Sequence, residues 1–287
     1  MTYTVKAPAK INFALDVLSK RPDGYHEVSM IMQTIALFDK ITVSSRDSGI
    51  ELTADSDAIP IDETNIAYKA AAYLRSKYHI DKGVSIHIEK KIPVAAGLAG
   101  GSTDAAAVLK LLNKLWEIGL SEEELKEAGG KLGADVPFCI QGGTCLAEGL
   151  GEVLTPLANT PDCWLLLIKP PVGVSTKEVY QSLKLEDVKE RPDIQAMLQA
   201  IARDDVKGIC SSMGNALETV TIKLHPVISE LKQKLLDYGA AGSLMSGSGP
   251  TVFGVFENQA DAEKAYEDMK NWVDEVFLVK TFNGREE

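Results

Sequence analysis

The sequence predicts a mixed α/β protein with two domains, and three observations support that fold class. The chain has 287 residues, nearly twice the roughly 150 residues that one domain usually has. Segments with the alternation of a β-strand and segments with the spacing of an amphipathic helix follow one another along it. The pattern changes near residues 155–160, so we predict one domain over residues 1–156 and a second over residues 157–287.

Composition and charge exclude several classes of protein. Hydrophobic residues make up 45% of the chain and charged residues 25%, which is typical of a globular protein and not of a disordered or fibrous one. The 30 basic and 41 acidic residues give a formal net charge of −11. That charge repels nucleic acids and anionic membranes, so we expect neither as a partner. An anionic ligand therefore needs a local pocket of backbone N–H groups or lysines.

The cysteines and the N-terminal segment indicate a cytoplasmic protein. The cysteines form no C-x-x-C pair and are too few for a disulfide framework, so we expect reduced thiols at Cys139, Cys145, Cys163 and Cys210. The apolar stretch near the N-terminus is interrupted by Asn12 and Asp16, unlike that of a signal peptide. The longest apolar run, Trp164–Ile168, is far shorter than the ~18 residues of a membrane span.

The N-terminal elements follow from the spacing of the apolar residues. Ile11–Val17 alternates apolar and polar side chains, which predicts a half-buried strand with Lys10 and Asn12 on its polar face. Val84–Ile88 alternates in the same way and predicts another strand. Further strands are predicted at Glu27–Leu37, Lys40–Ser44 and Gly49–Thr53, and a helix is predicted at Asn65–Tyr78.

The middle and the end of the chain predict mostly helices. One helix buries the face that contains Ala105, Leu112 and Trp116. Ser121 begins the next, because Glu124 completes a capping box, and Gly133 is expected to end it. The remaining predictions are helices at 176–182, 192–202, 226–238 and Asp261–Val273, strands at Cys163–Ile168 and Glu275–Phe282, and a glycine- and serine-rich turn within Ala241–Phe256.

A loop rich in small residues joins a predicted strand to the helix that begins near Ser102 or Thr103. Small residues allow a close approach to a ligand, glycine permits positive φ angles, and the helix start offers unpaired N–H groups. We therefore expect a phosphate site formed by Pro93, Val94, Ala95, Ala96, Gly97, Leu98, Ala99, Gly100, Gly101, Ser102 and Thr103. An ordinary strand-to-helix turn explains the loop equally well by itself, and Asp104 is interpreted as a structural partner of the helix dipole.

This loop differs from the two common nucleotide-binding loops. The chain contains neither G-x-x-x-x-G-K-[ST], the motif of P-loop ATPases, nor G-x-G-x-x-G, the dinucleotide-binding motif. The histidines, cysteines and carboxylates do not have the spacing of a zinc site, so we predict no metal site built by the protein alone.

Three segments, taken together, identify a family. They are Pro8-Ala-Lys10-Ile-Asn12, Pro93-x-x-x-Gly97-Leu-x-Gly-Gly-Ser102-x-x-Ala-Ala106 and Ser246-Gly-Ser-Gly-Pro-Thr251. In order and spacing they resemble the motifs of the GHMP kinases, a family of small-molecule kinases, over essentially the whole chain. The resemblance implies an N-terminal domain like the second domain of ribosomal protein S5 and a ferredoxin-like C-terminal domain. It also implies ATP as the phosphoryl donor and Mg²⁺ delivered with ATP.

Two further segments narrow the resemblance. Lys20-Arg-Pro-Asp-Gly-Tyr25-His26-Glu27 and Gly133-Ala-Asp135-Val-Pro137-Phe138 are similar to those of family members with a cytidyl diphosphate substrate. Those enzymes phosphorylate the 2-hydroxyl of a sugar alcohol in the non-mevalonate route to isoprenoid precursors. Ala99 and Thr103 depart from the family pattern, which often has glycine and serine at these positions.

The resemblance assigns the catalytic roles to Lys10 and Asp135. Phosphoryl transfer needs in-line positioning, cationic stabilisation and a group that receives the hydroxyl proton. Asp135 matches the catalytic aspartate and is the expected base, although an aspartate after a glycine is usually a turn or cap residue. Lys10 is expected to pair with Asp135 and with the migrating phosphoryl group.

The same resemblance assigns residues to the two substrates. Tyr25 is expected to stack on the cytosine, and His26 to form a hydrogen bond with it. Asn65 is expected to contact the adenine, and a plain helix-start role competes on equal terms. The other acceptor-binding candidates are Asn12, Thr176 and Tyr180.

Two alternative functions stay open at this point. One is a GHMP kinase for homoserine, mevalonate or a sugar. The other is a ligand-binding protein that has the fold without catalysis. The expected partner is a small molecule, and the expected assembly is a monomer or a weak homodimer.

Overall fold

The computed structural model describes residues 1–284 and contains two β-sheets with helices packed against them. The larger sheet has the strand order β3-β4-β2-β1-β8, and β5 pairs with β2 and with β6. Its strands are β1 (Thr2–Lys20), β2 (His26–Arg46), β3 (Ile50–Ala54), β4 (Gly83–Glu89), β5 (Thr144–Gly149), β6 (Val153–Pro156) and β8 (Gly214–Asn215). The predicted domain boundary falls between β6 and the first strand of the second sheet.

The smaller sheet has four strands in the order β11-β7-β10-β9, and all three of its pairings are antiparallel. Its strands are β7 (Trp164–Lys169), β9 (Gly242–Met245), β10 (Val252–Phe256) and β11 (Glu275–Lys280). Leu165, Leu166, Leu167 and Ile168 are each 0% exposed, because β7 lies inside the sheet with helices and the rest of the core on its faces. This explains the continuous apolar run in its sequence.

Helices surround the two sheets. They are α1 (Ile66–Lys77), α2 (Gly100–Leu115), α3 (Glu122–Gly130), α4 (Val136–Gln141), α5 (Thr176–Ser182), α6 (Ile194–Ala202), α7 (Val206–Ser212), α8 (Glu218–Leu224), α9 (Val227–Asp237) and α10 (Gln259–Met269). The predicted capping box of Ser121 and Glu124 is present at the start of α3. Within residues 1–284, the helices lack the length and apolar character needed to cross a membrane.

The two longest strands differ from their predictions. The strand predicted at Ile11–Val17 extends over Thr2–Lys20, and the two strands predicted between residues 27 and 44 are one strand, β2. The two predicted strands, Glu27–Leu37 and Lys40–Ser44, left Phe38 and Asp39 outside both. Asp39 nevertheless stays inside the strand, because its carboxylate accepts the backbone N–H groups of Lys91 and Ile92 at 2.6 and 2.9 Å.

Residues 281–283 return from the second sheet to the first. The backbone N–H of Phe282 donates to the carbonyl of Thr34 at 2.9 Å, and Gln33 Nε2 donates to the carbonyl of Phe282 at 3.1 Å. Asn283 Nδ2 donates to the carbonyl of Thr160 at 2.9 Å. The segment therefore completes a buried polar network in the larger sheet.

Candidate active site

A large cavity of about 1230 Å³ lies where the N-terminal strands, the glycine-rich loop and the third sequence motif meet. Its lining includes the predicted residues Lys10, Asn12, Tyr25, His26, Asn65, Pro93, Val94, Ala95, Ala96, Gly97, Ala99, Gly100, Gly101, Ser102, Asp135, Thr176 and Tyr180. Residues that are up to 170 positions apart in sequence are thus collected in one place. Two predicted residues, Leu98 and Thr103, have other surroundings.

Lys10, Asn12 and Asp135 form a polar group in this cavity. Lys10 and Asn12 lie two residues apart on β1 and so face the same side, and Lys10 Nζ donates to Asn12 Oδ1 at 2.7 Å. Lys10 Nζ lies 3.6 Å from Asp135 Oδ2. The lysine side chain is 5% exposed and the aspartate side chain 34%. The carboxylate is therefore accessible from the cavity while it is paired with a buried cation.

Asp135 is placed by the short helix α4, which follows it directly. Pro137 at the second helical position favours this helix start. Asp135 has a helical backbone conformation, and in the described chain its side chain makes no capping hydrogen bond to α4. Asp135 thus occupies the N-cap position, as an aspartate after a glycine often does, but its carboxylate pairs with Lys10 instead of capping the helix.

The three sequence motifs contact one another. The backbone N–H of Lys10 donates to the carbonyl of Leu98 at 3.1 Å, and Ser246 Oγ donates to the carbonyl of Gly97 at 3.0 Å. A Cβ atom placed on Gly247 would lie 3.6 Å from Lys10 Nζ. The loop is thus held from both sides by the first and third motifs.

The backbone of the loop is unusual at three positions. Ala95, Gly97 and Ala99 have positive φ angles of 52°, 75° and 58°. A Cβ atom on Gly97 would lie only 2.1 Å from the carbonyl oxygen of Ser246, so this position needs glycine. Helix α2 begins at Gly100, before the predicted start near Ser102 or Thr103, and Ala99 in the left-handed conformation precedes it.

Leu98 and Thr103 were assigned to the phosphate site, and the side chains of both are buried away from the cavity. Leu98 is 1% exposed, because its side chain packs in the hydrophobic core beside Ile92 and Ala96. Thr103 is also 1% exposed, because it lies on the face of α2 that packs towards Cys139. The Leu98 carbonyl accepts the backbone N–H of Lys10, and the backbone N–H of Thr103 donates to the carbonyl of Ala99 at 2.9 Å.

The far end of the cavity carries the aromatic candidates. The Tyr25 side chain is 64% exposed, while the rings of His26 and Tyr180 lie 5.3 Å apart with a tilt of 36°. Thr176 Oγ1 and Ser248 Oγ are 2.7 Å apart, which joins α5 to the third motif. The structure therefore brings Tyr180 to His26, although the two are 154 positions apart in sequence.

Burial changes the titration of two of these groups. Burial, followed by the charge of Lys20, lowers the pKa of His26 below its ordinary value. Lys20 lies opposite His26 in the β1–β2 pairing. Burial, followed by the charge of Asp135, raises the pKa of the Tyr180 hydroxyl. At neutral pH this end of the cavity thus presents an uncharged imidazole and a protonated phenol.

Asn65 has the helix-start role. Its Oδ1 accepts the N–H of Ala67 at 2.8 Å, and its Nδ2 donates to the carbonyl of Pro60 at 2.7 Å. It is the N-cap of α1 and lines the cavity. The second amide hydrogen and the second lone pair of Oδ1 are left for a contact with adenine, and that assignment stays a prediction.

Several polar residues at the site were not predicted from the sequence. Lys90 and Ser248 line the cavity, and Asn215 Nδ2 donates to the carbonyls of Met245 and Gly247 at 2.7 and 2.8 Å. Asn215 therefore holds the third motif in place through these two backbone carbonyls. Two features of the sequence could have indicated these site residues. They are the glycines and serines of the third motif and the charge of Lys90 shortly before the loop.

The side chains offer little for a metal ion on their own. In the part of the chain that the structure describes, histidine, cysteine, aspartate and glutamate form no group of three that could hold one. The Ser102 hydroxyl lines the cavity near the start of α2. It is a suitable neutral oxygen for an ion that is held mainly by phosphates.

Family models agree with this arrangement of motifs. The model described as GHMP kinases N terminal domain matches residues 65–143, and the model described as GHMP kinases C terminal matches residues 197–275. Together they cover more than half of the chain. The first match spans the glycine-rich loop and Asp135, and the second spans the third motif.

Individual relatives match over nearly the full length. The 4-diphosphocytidyl-2-C-methyl-D-erythritol kinase of Brevibacillus brevis is 49% identical over 100% of this chain and 98% of its own. The enzyme of the same name from Geobacillus thermodenitrificans is 50% identical over 99% of both chains.

Solved structures share the fold. A crystal structure of 4-(cytidine 5'-diphospho)-2C-methyl-D-erythritol kinase has a TM-score of 0.85 and 34% identity, and covers 98% of this chain and 100% of that one. Homoserine kinase from Cytophaga hutchinsonii, at 21% identity and a TM-score of 0.80 over 100% of this chain and 96% of its own, shows the fold alone. Motifs, sheet arrangement and relatives lead to the same conclusion: the chain has the mixed α/β two-domain fold of the GHMP kinases and belongs to that family.

Proposed function

We propose that this protein uses ATP to phosphorylate the 2-hydroxyl of 4-diphosphocytidyl-2-C-methyl-D-erythritol, a step of the non-mevalonate route to isoprenoid precursors. One observation carries the proposal. The Asp135 carboxylate, paired with Lys10 at 3.6 Å, faces a cavity that joins the glycine-rich loop to the Tyr25–His26 segment. The names of the full-length relatives support the choice of acceptor.

The proposed chemistry needs only a few groups from the protein. Asp135 accepts the proton of the acceptor hydroxyl while the oxygen of that hydroxyl attacks the γ-phosphorus of ATP. ADP leaves from the opposite side of the phosphorus. Lys10 stabilises negative charge on the oxygens of the migrating phosphoryl group. Because Lys10 is fixed by Asn12 and Asp135, its ammonium group is already oriented before the substrates arrive.

The donor is proposed to lie on the loop Pro93–Thr103. The N–H groups at the start of α2 and the small residues before it suit the phosphates of ATP. Bound Mg²⁺ would supply further neutralisation of phosphate charge, and the Ser102 hydroxyl would be its contact with the protein.

The acceptor is proposed to lie towards Tyr25, His26 and Tyr180. The uncharged imidazole of His26 accepts a hydrogen bond from the cytosine amino group, while the tyrosine rings stack on the base. Asn12 and Thr176 are assigned to the sugar alcohol between the base and the catalytic pair.

Location, assembly and domain limits remain part of the proposal. A cytoplasmic protein is supported by the cysteines, which are buried and form no disulfide within residues 1–284. We expect a monomer or a weak homodimer, with domains at residues 1–156 and 157–287. An elution volume that depends on protein concentration would identify the dimer.

The test is ADP release measured with ATP and a panel of acceptors. The cytidyl substrate is compared with the same molecule lacking its CMP moiety, with homoserine and with mevalonate. We expect rapid ADP release with the cytidyl substrate alone. Preference for homoserine or mevalonate would replace the proposed acceptor. Absence of ADP release with every acceptor, in a protein that still binds ATP, would indicate a ligand-binding role.

A further inference from the structure

A buried ion cluster lies beneath the glycine-rich loop, outside the reacting groups described above. Lys90 Nζ donates to Asp39 Oδ2 at 2.5 Å and to Asp104 Oδ2 at 2.9 Å. The three side chains are 5%, 0% and 3% exposed. One cation therefore joins two carboxylates in an interior where each charge requires a partner.

The cluster holds the chain on both sides of the loop. Before the loop, Asp39 Oδ1 accepts the N–H groups of Lys91 and Ile92 at 2.6 and 2.9 Å. After the loop, Asp104 is the fifth residue of α2. Lys90 connects these two sides, so the entry to the loop and the start of the helix are fixed relative to each other.

Lys90 also passes directly under the helix start. A Cβ atom on Gly100 would lie 3.3 Å from Lys90 Nζ. Gly100 is the first residue of α2, whose N–H groups face the proposed phosphates. The distance between the helix start and the loop entry thus depends on where the ammonium group is held.

Asp104 is bonded to the cluster through one oxygen alone. Its Oδ1 is inaccessible to solvent and has no hydrogen-bond partner among residues 1–284, although Asp104 and Lys90 border the cavity. Burial, with Asp39 adding to it, raises the pKa of Asp104, whereas Asp104 and Asp39 raise the pKa of Lys90 against the effect of its burial. The hydrogen bond to Lys90 is therefore what ties α2 to the loop entry.

A cluster of this kind is a poor source of stability. Replacing a buried ion group by apolar side chains of similar size is often neutral or stabilising, because the charges lose their hydration. A geometric role explains its presence better. We propose that Asp39, Lys90 and Asp104 are positioning residues, which set the spacing between the loop entry and α2 at which the loop holds the triphosphate of ATP.

This inference rests on the proposal that ATP binds at the loop, and the experiment separates the two. The affinity for MgATP is measured by isothermal titration without acceptor, together with KM for the acceptor and the melting temperature. Wild-type protein that does not bind MgATP would overturn the proposed function itself. A wild type that binds it allows the positioning role to be tested in variants.

The informative pair of variants is Asp104→Ala and Asp104→Asn. Alanine removes the tie to Lys90, whereas asparagine retains an oxygen that can accept its hydrogen bond. We expect Asp104→Ala to weaken MgATP binding about 10-fold or more, as displaced binding groups do, with little change in KM for the acceptor. Asp104→Asn should recover most of that loss.

The matched control is Lys169→Met, which breaks the ion pair of Lys169 with Glu275 in the smaller sheet. The Lys169 side chain is 15% exposed. We expect the Lys169→Met substitution to lower the melting temperature without weakening MgATP binding. If Asp104→Ala does not fold, Asp104→Ser takes its place with the same expected loss. MgATP affinity within about twofold of the wild type in the variant that folds, or an equal loss of affinity for ATP and acceptor, would overturn the positioning role.

Discussion

The two halves of the cavity are built differently. In the donor half, lined by the loop Pro93–Thr103, the carbonyls of Gly97 and Leu98 are bonded to Ser246 and Lys10. Buried ion pairs hold both sides of the loop. In the acceptor half, lined by Tyr25, His26, Thr176 and Tyr180, Tyr25 is 64% exposed and lies between β1 and β2, outside both strands.

This difference indicates where ordering is expected during catalysis. A phosphate cradle formed before the ligand arrives has no ordering cost on binding, whereas an exposed aromatic ring loses rotamer freedom when it stacks on a base. We infer that the donor half contributes fixed geometry and that the acceptor half contributes selectivity. The substitutions below alter the donor half, the acceptor half or Asp135 between them. Most of them are expected to leave the properties of the unaltered half unchanged.

The largest effect is expected at Asp135, which lies between the halves. Asp135→Asn keeps the shape of the side chain and removes the proton acceptor, so kcat should fall by about 10²–10⁴-fold. The affinities for ATP and for the acceptor should change little, since neither half is altered. Steady-state kinetics with both substrates varied measures this. A kcat within about threefold of the wild type would exclude a general base at this position.

The next effect tests the fixed geometry of the donor half. In Gly97→Ala the new Cβ atom would lie 2.1 Å from the Ser246 oxygen at a φ of 75°, so the loop must move. We expect MgATP binding to weaken about 100-fold, with acceptor affinity unchanged and a native circular dichroism spectrum.

Gly101→Ala is the comparison for this variant. Its Cβ atom would meet only the Ile66 side chain, at 3.4 Å, within a helix that accepts alanine. A much smaller loss is therefore expected. Equal losses in the two variants would show that added volume, and not the loop backbone, weakens binding.

The third prediction concerns selectivity in the acceptor half. His26→Ala and Tyr25→Ala should each raise KM for the cytidyl acceptor about 5- to 150-fold, which corresponds to about 1–3 kcal/mol for each lost contact. ATP affinity should stay the same. The uridine analogue should be a poor acceptor for the wild type, because O4 replaces the amino group that His26 is proposed to recognise.

The uridine comparison decides whether His26 reads the base. In His26→Ala the preference for cytosine over uracil should shrink, since the group that distinguishes them is gone. A variant that keeps the wild-type ratio would return the histidine to a structural role.

A smaller effect follows from the titration of His26. Its pKa is lowered, first by burial and then by Lys20, so the neutral ring that accepts a hydrogen bond persists below the ordinary value of about 6.5. KM for the acceptor should be flat near neutral pH and should rise several-fold as the pH falls through the lowered pKa. The His26 side chain is protonated more readily in the unfolded chain than in the folded protein. The contribution of His26 to folding stability is therefore also lost as the pH falls. A profile that stays flat in acid, or the same rise in His26→Ala, would exclude this residue as the cause.

The smallest effect tests strain in the donor half. Ala99 adopts a left-handed conformation with φ 58° and ψ 29°, which costs alanine more than glycine. Ala99→Gly should raise the free energy of unfolding by about 0.5–1 kcal/mol, measured by urea titration. A lower stability would mean that contacts of the Ala99 methyl group outweigh the relief of strain.

Much of the site was predictable because its residues lie in short motifs. Lys10, Asn12 and Asp135 were expected together, and the structure brings them into one polar group. Their proposed roles rest on the resemblance to the family. The sequence pattern also predicted the capping box at Ser121, because that motif is complete within four residues.

The unpredicted parts depend on contacts between distant residues. Asp39 fell between two predicted strands, yet it is buried inside β2 because partners at residues 90–92 satisfy its carboxylate. Asp104 was interpreted as a partner of the helix dipole, and its actual partner is Lys90. Helix α4 was missed because all six of its residues are buried, so it shows no amphipathic spacing. Strand β8 has only two residues, and its pairing with β1 is long-range.

The return of residues 281–283 to the larger sheet affects how this protein can be divided. The larger sheet is formed mainly by the first 156 residues, and it also takes in β8 and the closing segment from the rest of the chain. A fragment that ended at residue 156 would leave Gln33 and Thr34 without the backbone partners at Phe282. Buried amide and hydroxyl groups would then lack hydrogen bonds. A fragment meant to keep the larger sheet intact would therefore have to include residues 281–283 as well as β8.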